Sequence, residues 1–578
     1  MGAKLLVVLT YLVGMLVLGA LAHRKRGGAQ EFFLAGRSLR TFVLLGTMAA
    51  TNFSAFTVVG FSGAGYRMGL AFYPVMAYAT GLMALTFILI GIPAFRIGRE
   101  LGLITPAELI EARFGSPGLG VVFAAVQGLF TLPYLALQPL AAGYVLESLL
   151  GVPHALGAGV VTAVIVCYVL AGGMRSVAWT DVVQGFIMLA ALAVGLAVVV
   201  NALGGWSAAT VRLAAASPEH LTRPGAGGGL PVGIWVSYMA LWFMADPMLP
   251  QLFQRFYAAK GERSIVRMAA LYPVVTTVLF FLPVAIGAFG RIAIPGLEGQ
   301  KADTIFPLLM ESVGGPWLAG LAAAGVLAAI MSTMDSQLLT LASVVERDFL
   351  RRRDADTRCT PGTPAPRATT RRSRFAVALL AAAGCALALR PPATMLAIAT
   401  EAFAGFAVLF PTVIAALYWR RTTASGALLS IAVGEAVVVA YHFRLLPAWG
   451  LLPAIPATAA AALALLLTGL VAPARSPVPA AFGANTRFGM GRRRVIAWAL
   501  VLGAFCVLST DWWRFNGRSP AMIAGLPDWV VYFIVLGFAL ALALALFGRD
   551  ATRTPACYNA VEHPAPPRIR AREGSGEP

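Results

Sequence analysis

Apolar residues fill this chain in long blocks, separated by short stretches that gather most of the charges. A hydrocarbon core needs about 20 apolar residues per helix. Fifteen blocks qualify, at 4–22, 40–66, 69–96, 118–150, 155–173, 178–203, 230–257, 266–292, 316–348, 374–390, 393–418, 421–442, 450–471, 493–510 and 526–547. Two of them are interrupted. The stretch TMAATNFSAFTVVGFSGAG (47–65) carries Asn52, Ser54, Gly60, Ser62, Gly63 and Gly65, and LWFMADPMLPQLFQRF (241–256) carries Asp246, Pro247 and Pro250. Proline inside a helix removes a hydrogen bond and clashes with the preceding turn.

The interrupted blocks lie five apart, which divides the middle of the chain into two units of five. We number them core helices 1–5 (40–203) and 6–10 (230–418). Interrupted helices at matching places in two halves mark a transporter's binding site. The fold class expected is therefore an all-α membrane protein of about 15 transmembrane helices with a 5+5 inverted-repeat core. Around the core lie a leading helix and cytoplasmic loop (1–39), two trailing helices (419–471), a cytoplasmic loop with an extra helical hairpin (472–548), and a disordered cytoplasmic tail (549–578).

Composition supports the membrane reading: 59% of the 578 residues are hydrophobic and 12% charged. The net charge of +19 belongs to the loops, so it speaks for orientation and not for nucleic acid. With the N-terminus outside, 34 of the 44 Lys and Arg residues fall on the cytoplasmic side, including the runs at 23–26, 351–353, 371–374 and 491–494. The expected location is the plasma (inner) membrane, with the C-terminus cytoplasmic. The Arg-, Pro- and Thr-rich loop at 349–373 reads as mobile. Five cysteines, at 167, 359, 385, 506 and 557, form no CxxC pair, and the five histidines are dispersed. No metal centre, cofactor or catalytic cluster is expected.

The stretch AAIMSTMDSQLLT (328–340) places Ala329, Ser332, Thr333 and Ser336 on one helical stripe. Such oxygens suit a hard cation. Small hydroxyl residues also let membrane helices pack closely, which is the alternative reading. Asp335 on the same helix costs at least a few kcal/mol in hydrocarbon unless it has a partner.

This stretch, the ERDF that follows it (346–349), GGMRSVAWTDVVQG (172–185) and FFLAGRSL (32–39) together resemble the sodium/solute symporter family, in its proline and pantothenate branch. The resemblance covers about residues 4–470 and implies sodium-coupled solute uptake. It implies a sodium site made by the carbonyls of Ala50, Phe53 and Ala329 and the hydroxyls of Ser332 and Thr333. It implies a second ion or proton site at Asp181, Asp335 and Ser336, where Asp335 departs from the hydroxyl of relatives. Two close carboxylates share a proton or a cation. For Asp181 the alternative is a cap at the start of core helix 5, and for Asp335 a pairing with a loop arginine.

Trp242 and Pro250 match positions that line the solute pocket in the proline branch, and Asn52 replaces an aspartate of that branch. With Ser54, Asp246 and Glu401 they make up the expected substrate-binding set. The expected function is sodium-coupled import of a small organic solute, an amino acid or organic acid, by alternating access. The expected partners are the solute, sodium and the lipid bilayer. Alternatives are a transporter-like sensor and a proton-coupled carrier.

Overall fold

The computed structural model describes residues 2–22, 29–350, 371–390, 393–471 and 478–552. The basic runs at 23–26 and 351–353, most of the loop expected to be mobile, and nearly all of the tail lie outside them. The described chain is nearly all helical, with one two-residue hairpin pairing Met522–Ile523 to Leu526–Pro527. It is an integral multi-pass membrane protein. Among the described residues, eleven helices are long and apolar enough to cross a membrane, or twelve with one bent pair.

The expected fifteen blocks appear in altered form. His154–Leu170 and Phe375–Ala388 are apolar but shorter than a full span. Core helices 4 and 5 run as one element, His154–Ala202, kinked at Gly173 (φ 62°, ψ −170°). Core helix 8 follows a kink at Gly315 (φ 69°, ψ 180°), just before Pro316. Both backbones lie where only glycine is unstrained, so each glycine sets where one rod ends and the next begins.

The first interrupted block forms Thr41–Asn52, leaves helical geometry at Phe53 (φ −87°, ψ 78°), and resumes through a π turn at Phe56–Gly60 into Phe61–Met68. The second forms Val232–Ala245, a tight turn at Asp246–Met248, and Pro250–Ala258, with a 54° bend. A break deep in the fold frees backbone groups that water cannot reach, and each must find a partner. Both are served from one helix, Pro117–Leu150. Its Gln138 Oε1 accepts from the Ala55 N–H at 3.2 Å, and its Gln127 Nε2 donates to the Met248 carbonyl at 2.7 Å. Eleven residues make about three helical turns, so the two glutamines share a face. The Ser54 hydroxyl accepts from the Phe56 N–H at 3.2 Å, which closes the first break locally.

The C-terminal hairpin, Arg492–Thr510 and Asp528–Ala551, packs on core helices 2, 6 and 7. Tyr78 and Trp235 donate to the Phe505 and Ser509 carbonyls, each at 3.1 Å. Arg223, in the loop before core helix 6, pairs with Asp511 and lies 3.9 Å from the Trp235 ring centre and 4.0 Å from that of Phe515.

Candidate functional site

The two breaks meet. Asn52 Nδ2 donates to Tyr272 Oη at 2.8 Å and approaches Asp246 Oδ2 at 3.4 Å. Beside them, core helix 8 brings its hydroxyl stripe against the end of Thr41–Asn52. Ser332 Oγ donates to the Ala50 carbonyl at 2.9 Å and to the Ala329 carbonyl at 3.2 Å. Thr333 Oγ1 donates to the Thr51 carbonyl at 3.0 Å. Ala50, Ala329, Ser332 and Thr333 are thus brought together in a buried cluster of oxygens. Phe53 stands where the backbone leaves the helix, so its carbonyl drops out of the helical ladder. Thr51 is the neighbour that sequence reasoning left out.

One turn further along helix 8 the expected second ion site holds a protein cation. Arg255, fully buried on Pro250–Ala258, forms an ion pair with Asp181 Oδ2 at 3.1 Å. The same guanidinium donates to Ser336 at 2.7 Å, to Thr47 at 2.9 and 3.1 Å, to Thr51, and to the Gln251 carbonyl at 2.6 Å. Asp181 also accepts from Thr47. Asp335 accepts from Tyr168 Oη at 2.8 Å and from Ser336 at 3.2 Å. Asp181 is not a helix cap, because its helix segment begins two turns earlier at the Gly173 kink. No loop arginine reaches Asp335 among the described residues. The guanidinium pairs with Asp181 alone, Ser336 links it to Asp335, and Asp181 Oδ1 has no partner among the described residues.

Asn52, Trp242 and Asp246 line a common pocket with Phe56, Tyr134 and Phe403. Its side chains close on one another, leaving about 10 Å³, roughly room for one water. Trp242 is held by Tyr238, stacked at 6.2 Å, and by the edge of Phe403 at 4.9 Å. Three polar atoms of this lining have no partner among the described residues: Asp246 Oδ1, the Trp242 indole N–H and the Thr80 hydroxyl. Buried polar groups are rarely left unpaired without a functional reason.

Three members of the expected solute set lie elsewhere. Ser54 caps the break, and Pro250 opens the second half-helix with its fixed φ. Neither lines the pocket. Glu401 is corrected outright. It sits on the outer face of Met395–Val408, half exposed and paired with His442 of the next helix. The adjacent Thr400 and Phe403 take the inner face instead. Sequence reasoning missed Arg255 and the two bracing glutamines. A fully charged side chain in the span 230–257 was the available signal, since such residues inside a membrane are expensive and functional by default.

Known proteins agree with this architecture. Residues 32–434 match the model of the sodium:solute symporter family. The osmoregulated proline transporter OpuE of Bacillus subtilis is 30% identical over 442 residues, covering 74% of this chain and 86% of that protein. The sodium/pantothenate symporter of Escherichia coli is 28% identical over 472 residues, covering 80% of this chain and 95% of that one. In fold, the substrate-bound outward-open state of a Na+-coupled sialic acid symporter superposes with a TM-score of 0.67, at 19% identity, over 82% of this chain and 99% of that one. The nucleobase-cation-symport-1 family transporter Mhp1, in a closed conformation, superposes with a TM-score of 0.53 at 15% identity, over 80% of this chain and 99% of that one. The chain belongs to the sodium:solute symporter family.

Proposed function

We propose that this protein imports a small amine-bearing organic solute together with sodium, by alternating access in a 5+5 core whose helices 1 and 6 are broken. The observation that carries this reading is the adjacency of two chemistries on consecutive residues. The carbonyls of Ala50 and Thr51 meet the Ser332 and Thr333 hydroxyls, and Asn52 next to them meets Asp246 in the pocket. An ion that parts the first pairs moves the backbone that carries Asn52, so ion and solute sense each other.

A neutral set of hydroxyls and carbonyls suits an alkali cation, a hard ion that prefers oxygen. The free Asp246 oxygen suits an ammonium group, and the indole N–H beside it suits an acceptor such as a carboxylate. An amino-acid-like zwitterion satisfies both, and the proline transporters among the relatives are compatible with that class. The 34 basic residues that the expected fifteen-block reading gathers on one side favour a cytoplasmic C-terminus in the plasma membrane.

The Asp181–Asp335–Arg255 cluster favours an added coupling proton or cation, since two carboxylates exceed one guanidinium by one charge. Thermal unfolding in detergent, with amino acids, betaines and organic acids screened with and without sodium, tests the reading. An amine-bearing solute should raise the midpoint more in sodium than in potassium. A stabilising solute without an amine, or one indifferent to sodium, contradicts it.

A further inference from the structure

A second cavity, of about 210 Å³, lies well away from the solute pocket. It sits between the C-terminal end of Phe410–Tyr418 and the short helix Ala480–Asn485 that precedes the hairpin. Arg113, Arg420 and Arg487 all line it, and no carboxylate does. Arg113 is 5% exposed, with Nε donating to the Ala416 carbonyl at 3.0 Å and Nη2 to the Trp419 carbonyl at 3.3 Å. Those bonds fix its guanidinium in the cavity wall. Arg420 and Arg487 are exposed, and neither has an ion-pair partner among the described residues.

Three guanidinium-bearing residues around one small cavity repel one another unless an anion joins them. The planar N–H fork of arginine matches phosphate oxygens bidentately. Tyr418 and Trp419 stand at the same rim, the kind of aromatic pair found at a membrane–water interface. Basic pockets between helices on the cytoplasmic side of membrane proteins take phospholipid headgroups.

We propose that this cavity binds a phosphate oxyanion, supplied by the headgroup of an anionic phospholipid or by a free phosphate. The bound group bridges the end of core helix 10 to the segment that leads into the C-terminal hairpin.

The test is thermal unfolding of the purified full chain in detergent, titrated separately with phosphatidylglycerol, phosphatidylcholine and inorganic phosphate. Wild type is compared with Arg420→Ala/Arg487→Ala, and with Arg492→Ala/Arg493→Ala, which removes the same charge from an exposed run elsewhere. In wild type and the control, phosphatidylglycerol should raise the midpoint saturably and phosphatidylcholine should not. Half-saturation in the pocket variant should need roughly tenfold more lipid or beyond, as expected for the loss of charge-assisted hydrogen bonds. The same pattern with inorganic phosphate assigns a free anion, and its restriction to the lipid assigns a headgroup. Equal responses in the two double variants, or no anion response in wild type, overturn the proposal. Single Arg420→Gln and Arg487→Gln variants repeat the measurement if the double variant is poorly folded.

Discussion

Arg255 and Arg223 are nearly inaccessible to water, at 0% and 2% exposure, yet one is surrounded by oxygens and the other by rings. Arg255 gathers Thr47 and Thr51 of core helix 1, Asp181 of core helix 5 and Ser336 of core helix 8. Arg223 lies between Trp235 and Phe515 and pairs with Asp511 at the hairpin. Rings hold a cation through a diffuse attraction that tolerates small shifts. A fork of donors on fixed oxygens is directional, so it registers any movement of the helices that carry them. The first arrangement makes Arg255 a junction among core helices 1, 5, 6 and 8. The second makes Arg223 a rivet between an outer loop and an appended hairpin.

Removing each charge should have the largest and most unequal effects. Arg255→Met leaves two buried carboxylates without a cation, a loss of about 3–5 kcal/mol, and should abolish uptake in proteoliposomes. Arg223→Met keeps an apolar side chain among the rings and leaves Asp511 within 3.8 Å of Arg514. It should cost about 1–2 kcal/mol in detergent unfolding and leave uptake near wild type. Equal losses of transport would erase the distinction.

Asp335→Ser tests the neighbouring carboxylate. If Asp335 belongs to an ion- or proton-bearing cluster with Asp181 and Arg255, uptake plotted against sodium at several pH values should change shape or pH dependence, with solute binding retained. Superimposable curves would make Asp335 a packing residue held by Tyr168.

Smaller effects follow at the braces. Gln138→Leu and Gln127→Leu each strand one buried backbone group, at about 1–3 kcal/mol, read as a lower unfolding midpoint. Glu401→Gln, on the exposed side of its helix, should stay within about 0.5 kcal/mol and leave uptake unchanged.

The contrast also shows what a sequence discloses. The hydroxyl stripe at 332–336 was legible because helical spacing alone puts those residues on one face, and proline and glycine marked both breaks. Arg255 was not, because QRFYAAK reads as the basic end of a span. The 54° bend before Pro250 turns that end inward, against core helices 1 and 5. Glu401 failed for the opposite reason. Its neighbours Thr400 and Phe403 are inward, and one residue of rotation puts the carboxylate outside. Gln127 and Gln138 carried no periodic signal, since their role depends on backbone groups freed in other helices.

The oxygens joining core helices 1 and 8 are the proposed seat of the coupling ion. The most direct test is solute uptake into proteoliposomes under an inward sodium gradient, wild type beside Ser332→Ala/Thr333→Ala, with insertion verified. The double variant should lose sodium-stimulated uptake and show no sodium-dependent rise in its unfolding midpoint. Wild-type sodium dependence in that variant would contradict the assignment.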